Sequence, residues 1–187
     1  MSGDGIRDLK TAMNNLTGLD TSLTGRFARF RDREIITIIA FSDYVETVAD
    51  FRIDDVDSQG QAMAEVRQFV NDLEADGGTA IYTALSEAYR LAAAACGAAP
   101  PAQFPDRYYS IMLMSDGENT DGLRASEFER YYQSLDPAAQ GIRTFTVLFG
   151  NADEEAMNDI ATMTGGQMFD STQEPLSLIF KQIRGYQ

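Results

Sequence analysis

Three short apolar runs constrain this chain more than any other feature: Ile35–Phe41 (IITIIAF), Tyr108–Met114 (YYSIMLM) and Ile142–Phe149 (IRTFTVLF). Each is too short for an ordinary helix. The near-continuous Ile35–Phe41 predicts a strand buried on both sides, as in a parallel sheet, Tyr108–Met114 predicts the next buried strand, and Ile142–Phe149 predicts a further strand ending at Gly150. Thr47–Ile53 alternates instead, and predicts an edge strand hairpinned to the first through Ser42–Tyr44. Gln167–Phe169 predicts a short last strand. Between the strands the period changes to that of a helix. Apolar residues recur at Ile6, Leu9, Met13 and Leu16, then over Gln61–Glu74, and again from Thr79 through Leu85, Tyr89 and Ala92. Further helices are predicted at Ser126–Leu135, Glu154–Met163 and Leu176–Ile183.

Strands that alternate with helices make βαβ units, so the expected class is α/β: a three-layer αβα, doubly wound, mostly parallel sheet. With 187 residues, 44% of them hydrophobic, a single domain over 1–187 is expected. Ligands of such sheets bind beyond the carboxyl ends of the strands. The residues to inspect are therefore Ser42 and Asp43, Asp116 to Asp121, Gly150 to Asp153, and the helix start at Gly77–Thr79.

Composition narrows the function. The chain carries 15 basic and 29 acidic side chains, a net charge of −14, which opposes general nucleic-acid binding. It has no histidine, which removes Ser-His-Asp and Cys-His catalysis and His-ligated zinc together. The single cysteine, Cys96, sits among alanines with no histidine to activate it and reads as an inert thiol. No apolar run reaches the ~18 residues of a membrane span. No cationic start with an apolar follow-on marks a signal peptide.

Two segments together carry a family resemblance. Gly77-Gly78-Thr79-Ala80-Ile81-Tyr82-Thr83-Ala84-Leu85, followed by Ile111-Met112-Leu113-Met114-Ser115-Asp116-Gly117-Glu118-Asn119, resembles a von Willebrand factor type A domain. Phe41-Ser42-Asp43 and Thr164-Gly165-Gly166 agree with that pattern in order along the chain. The resemblance implies a Rossmann-like fold and a metal-ion-dependent adhesion site on the upper rim of the sheet. It implies Thr79 and Asp116 as metal ligands, with Ser2, Asp43, Gly78 and Asp121 as rim candidates. Hydroxyl and carboxylate oxygens are hard donors suited to Mg²⁺, Mn²⁺ or Ca²⁺. The partner implied is a protein that donates a carboxylate to the metal, with no catalysis.

The resemblance also has a departure. The family's first motif runs D-x-S-x-S-M-x-G-x-x-I, and Met1-Ser2-Gly3-Asp4-Gly5-Ile6 fits it only from the methionine on. The first strand and the three D-x-S-x-S ligands are then absent from the chain. Two oxygens alone would hold a cation weakly. In the family's strand order, 3-2-1-4-5-6, the missing strand is central. The Ile35 and Tyr108 strands would then face a gap, with unpaired backbone groups at ~1–3 kcal/mol each against a total stability of ~5–15 kcal/mol. Another segment or a strand-swapped second chain is expected to fill it; otherwise the isolated chain should behave poorly in solution.

Other features have bland readings. Asp20-Thr21-Ser22-Leu23-Thr24 spells D-x-S-x-T, but no strand precedes it and it reads as a local turn. Arg26, Arg29, Arg31 and Arg33 read as surface charge offset by Asp32 and Glu34. Asp50, Asp54, Asp55 and Asp57 lack the spacing of a calcium loop. Tyr108, Tyr109, Tyr131 and Tyr132 read as core and helix-face packing. The alternatives to an adhesion module are a Mg²⁺-dependent phosphoryl-transfer enzyme and an inactive fragment of a larger surface or substrate-binding protein. Against the enzyme, there is no phosphate-cradling loop. Arginine over lysine and the alanine-rich usage hint at a bacterial source. For the full-length protein an extracytoplasmic or cell-surface location is expected.

Overall fold

A computed structural model describes residues 4–22, 26, 29–30, 34–53, 56–98, 108–150 and 152–185. In chain order the elements are α1 (Asp4–Asn14), a π-helical turn (Asn15–Leu19), β1 (Ile35–Phe41), β2 (Val45–Arg52), α2 (Val56–Asp72), α3 (Ile81–Ala98) and β3 (Ser110–Ser115). Then come α4 (Ala125–Ser134), α5 (Pro137–Gln140), β4 (Arg143–Leu148), α6 (Glu154–Met163), β5 (Met168–Asp170) and α7 (Leu176–Gly185). The helices and strands alternate as the periodicity requires, giving an α/β fold.

The chain divides into two compact units: 1–40, 46–76 and 173–187 in the first, 41–45 and 77–172 in the second. In the first unit, α2 buries Ala62, Met63, Val66 and Val70, the inward stripe of an amphipathic helix. Helix α1 packs against it: Lys10 Nζ donates to the Asn71 carbonyl at 2.8 Å, and Asn14 Nδ2 to Asn71 Oδ1 at 2.9 Å. Helix α1 runs on into the π-helical turn, and the helical course breaks there, where Gly18 takes φ 97°. Beyond it Ser22 N–H donates to Asp20 Oδ1 at 2.9 Å, closing an Asx turn. Hydrogen bonds from the Ser22 side chain and backbone hold the Asp20 carboxyl below its ordinary value. The described part of the D-x-S-x-T segment, Asp20 to Ser22, is thus a turn. Phe51 packs edge-on to Phe69, with centroids 5.7 Å apart. Helix α7 buries Leu176, Ile179, Phe180 and Ile183 at helical spacing.

In the second unit β3, β4 and β5 form a parallel sheet in that order, with Ser110 opposite Arg143 and Thr146 opposite Met168. Its core is aromatic and aliphatic. Tyr89 and Phe128, both fully buried, lie 6.0 Å apart between centroids, with Tyr132 edge-on to Tyr89 at 5.3 Å. Leu85, Leu113, Ile142, Met157 and Ile160 belong to the same cluster.

The strands are distributed over two sheets, β1–β2 and β3–β4–β5. Burial follows the number of neighbours and not composition alone. Strand β4, paired on both sides, is buried from Thr144 through Leu148. Among the described residues strand β3 pairs with β4 alone, and it buries only Leu113 and Ser115. Among the described residues strand β1 pairs with β2 alone; none of its residues is buried and Ile35 is 42% exposed. Expecting full burial on both faces of β1 and β3 was therefore too strong. Tyr108 also departs from a core role: it lies before β3 and is 70% exposed. The short α5 escaped the periodicity, although its start is explicit. Asp136 caps it, accepting from Ala138 N–H and Ala139 N–H, with Pro137 in the first turn. Asp50 accepts from Thr37 Oγ1 at 2.6 Å across the β1–β2 pair. Arg26 and Arg29 are exposed. Ser2, Arg31, Arg33, Asp54, Asp55 and the Asp57 side chain lie outside the described residues.

Candidate functional site

Parallel pairing puts the carboxyl ends of β3, β4 and β5 on one rim. Strand β3 ends at buried Ser115, whose Oγ accepts from Gly117 N–H at 3.3 Å and turns the chain over Asp116. The loop that follows, Asn119–Leu123, lies against the approach to α3. Thr120 N–H donates to the Thr79 carbonyl at 2.9 Å, and Asp121 N–H to the same oxygen at 3.3 Å. In return, Thr79 N–H donates to Thr120 Oγ1 at 2.9 Å. Further along, Tyr82 N–H donates to Asn119 Oδ1 at 3.4 Å and Leu123 N–H to Thr83 Oγ1 at 2.9 Å. Donors at a helix start have no partner within the helix, and here the loop supplies one for Tyr82.

On its other side the same approach meets the hairpin turn. Ala80 N–H donates to the Ser42 carbonyl at 2.6 Å. Gly77 takes φ +77°, where a side chain would be strained, and a Cβ there would stand 3.2 Å from Asp43 Oδ1. A Cβ on Gly78 would run into the Asp121 carboxylate and stand 2.9 Å from Thr120 Oγ1. The Gly77-Gly78 pair thus threads between two carboxylates, those of Asp43 and Asp121. Thr79 comes next, its Oγ1 3.2 Å from where a Cβ on Gly117 would sit. The Thr79 hydroxyl therefore faces the turn that carries Asp116.

Of the sequence-predicted residues, the structure brings Asp43, Gly78, Thr79, Asp121 and the Asp116–Gly117 turn to one rim. The sequence reading included Asn119 and Thr120 in the rim segment Asp116 to Asp121 without giving either a role, and it missed Thr83. The signal for the first two was a dense polar run, Asn119-Thr120-Asp121-Gly122, directly after a strand end. At the base of the rim Tyr82 is buried against Phe128, 5.9 Å between centroids. Burial, with the charges of Asp153 and Asp159 behind it, pushes its phenol above the ordinary value and keeps it neutral.

Thr79 and Asp116 offer two hard oxygen donors, the right chemistry for a divalent cation but only part of its shell. Among the described residues no three His, Cys, Asp or Glu side chains converge to hold a metal. The donor set fits as one share of a hydroxyl-and-carboxylate site.

The sequence profile of the von Willebrand factor type A domain matches residues 1–182. The chain belongs to the von Willebrand factor type A (VWA) family. Among curated proteins none matches. Solved structures share the fold. A von Willebrand factor type A protein from Catenulispora acidiphila superposes with TM-score 0.68 at 18% identity, over 95% of this chain and 37% of that one. Proximal thread matrix protein 1 from the mussel byssus gives TM-score 0.60 at 18% identity, over 96% of this chain and 42% of that one. The chain therefore spans less than half the length of these neighbours. VWA domains are generally non-enzymatic modules that mediate protein interactions, and they commonly bind a divalent metal. Among the described residues no helix is long and apolar enough to cross a membrane.

Proposed function

We propose that residues 1–187 form one VWA-type adhesion module that binds a protein partner through this rim without catalysis. The observation that carries the reading is the placement of the Thr79 hydroxyl against the Asp116–Gly117 turn, with its loop clamped between Ser42–Asp43 and Asn119–Leu123. Thr79 and Asp116 would hold Mg²⁺, Mn²⁺ or Ca²⁺. Bound there, the cation supplies an electrophilic centre for a carboxylate of the partner. With two protein oxygens the cation is held weakly. Asp43 and Asp121, on the flanks of Gly77-Gly78, add negative potential that attracts cations to the rim. The net charge of −14 favours a partner whose surface around that carboxylate is basic.

Mn²⁺ titration by calorimetry tests the reading. The chain should show weak binding that falls by about tenfold or more in Thr79→Ala and in Asp116→Ala, the loss of one charged or hydroxyl ligand being worth ~1.4 kcal/mol or more. Unchanged affinity in both variants would place the site elsewhere.

A further inference from the structure

We infer that Thr120 is the positioning residue of this rim: it seats the Thr79 peptide and thereby aims the Thr79 hydroxyl at the Asp116 turn. The inference rests on the metal-facing role of Thr79 and assigns a role to a residue which that reading leaves without one.

The geometry is reciprocal. Both backbone groups of Thr79 are tied to one residue: its N–H donates to Thr120 Oγ1 at 2.9 Å, and its carbonyl accepts from Thr120 N–H at 2.9 Å. A threonine hydroxyl has one proton to give. Here it goes to Asp121 Oδ2 at 2.7 Å, which fixes the rotor and leaves a lone pair for the Thr79 N–H. Donating to a carboxylate also makes the hydroxyl oxygen a better acceptor, so the two bonds reinforce each other. Gly78 is the condition for this approach, since a Cβ there would enter the space of the Asp121 carboxylate. The loop bearing Thr120 is braced within itself by Asn119 Nδ2 to the Leu123 carbonyl at 3.1 Å and anchored independently by Leu123 N–H to Thr83 Oγ1 at 2.9 Å. Thr79 cannot slide along the rim without breaking the Thr120 pair. Small divalent cations tolerate little misplacement of their oxygens, so a residue that fixes the peptide fixes the ligand.

The test compares Thr120→Val, which keeps the shape and removes the hydroxyl, with Thr120→Ser, which restores it, in the full chain. The first readout is amide hydrogen exchange at Thr79 by NMR. The Ala80 amide, which donates to Ser42 instead, serves as internal reference. The second readout is Mn²⁺ affinity. Thr120→Val should speed exchange at Thr79 relative to Ala80 by about fivefold, the factor of one ordinary hydrogen bond. It should weaken Mn²⁺ binding about as far as Thr79→Ala does. Thr120→Ser should bring both back. A purely structural role would speed both amides together and leave their ratio unchanged, which overturns the inference. So does wild-type Mn²⁺ affinity in Thr120→Val where Thr79→Ala has lost it. If Thr79→Ala binds Mn²⁺ as the wild type does, or neither binds it, the metal reading falls. The exchange ratio then decides the seating of Thr79 by itself.

Discussion

Replacing Tyr89 by phenylalanine should destabilise the second unit at neutral pH and much less at alkaline pH. Tyr89 is fully buried, and its hydroxyl donates to the Ile142 carbonyl at 2.8 Å while sharing a second bond of 2.8 Å with Thr144 Oγ1. Phenylalanine keeps the ring against Phe128 and Tyr132 but leaves the Ile142 carbonyl without this donor, at a cost of ~1–3 kcal/mol. Burial raises the Tyr89 phenol from 10.0 to about 12. The folded state therefore holds this proton more tightly than the unfolded chain does. The stabilisation is complete below pH 10 and declines as pH rises from about 10 through about 12. By linkage the wild type has lost about 2 kcal/mol at pH 11.5, which the variant, having no proton there, does not lose. Urea unfolding followed by circular dichroism at pH 8 and pH 11.5 gives the double difference. Tyrosines that do not interact with Tyr89, such as Tyr131, whose phenol burial also raises, cancel between the two proteins, while the charge of Tyr132, which helps raise Tyr89, belongs to the same effect. The cost of the substitution should shrink by about 2 kcal/mol at the higher pH. An equal cost at both values would falsify the argument that this hydroxyl is held neutral by burial.

Three further substitutions probe the rim and its supports. Gly78→Ala should displace the Asp121 carboxylate and break its bond from Thr120, lowering stability by ~1 kcal/mol and weakening Mn²⁺ binding; wild-type values in both measurements would mean that the close approach does not matter. Thr83→Val removes the acceptor of the Leu123 N–H and should cost ~1 kcal/mol in a thermal melt, with faster amide exchange at Leu123 as the local sign. Asp136→Ala strips the cap from α5 and should cost ~0.5–2 kcal/mol while leaving the rim unchanged, so an effect on Mn²⁺ affinity would contradict the placement of function.

Much of the fold could be read from period alone. The residues that alternate or recur at helical spacing are in strands and helices, and Leu176, Ile179, Phe180 and Ile183 are the buried face of α7. The Gly-Gly-Thr and Ser-Asp-Gly segments marked the rim, because a strand end beside a helix start is where this topology gathers polar groups. What period cannot carry is pairing at long range. Thr79 and Thr120 are 41 positions apart, and nothing in either segment names the other. Burial was misjudged at β1 for a related reason: an apolar run states what a strand can tolerate, while its neighbours decide how far it is covered. The break in the π-helical turn after α1 was hidden differently, in the positive φ of Gly18.

The edge of β3 away from β4 sets two forces of different range against each other. Its six residues, Ser-Ile-Met-Leu-Met-Ser, bear no charge, and the strand paired with them among the described residues is β4. An uncharged strand edge, wherever it opens, admits another strand to within ~5 Å. The net charge of −14 repels a second copy over roughly the Debye length, ~10 Å at 0.1 M salt and ~3 Å at 1 M. Self-association is therefore a narrow well behind a broad electrostatic barrier. Salt removes the barrier and leaves the well, so solutions of this protein should stay clear for long periods at low ionic strength and gel after a salt jump. Dilution back to low salt should then be slow to undo it, because hydrogen-bonded edges separate only one strand at a time.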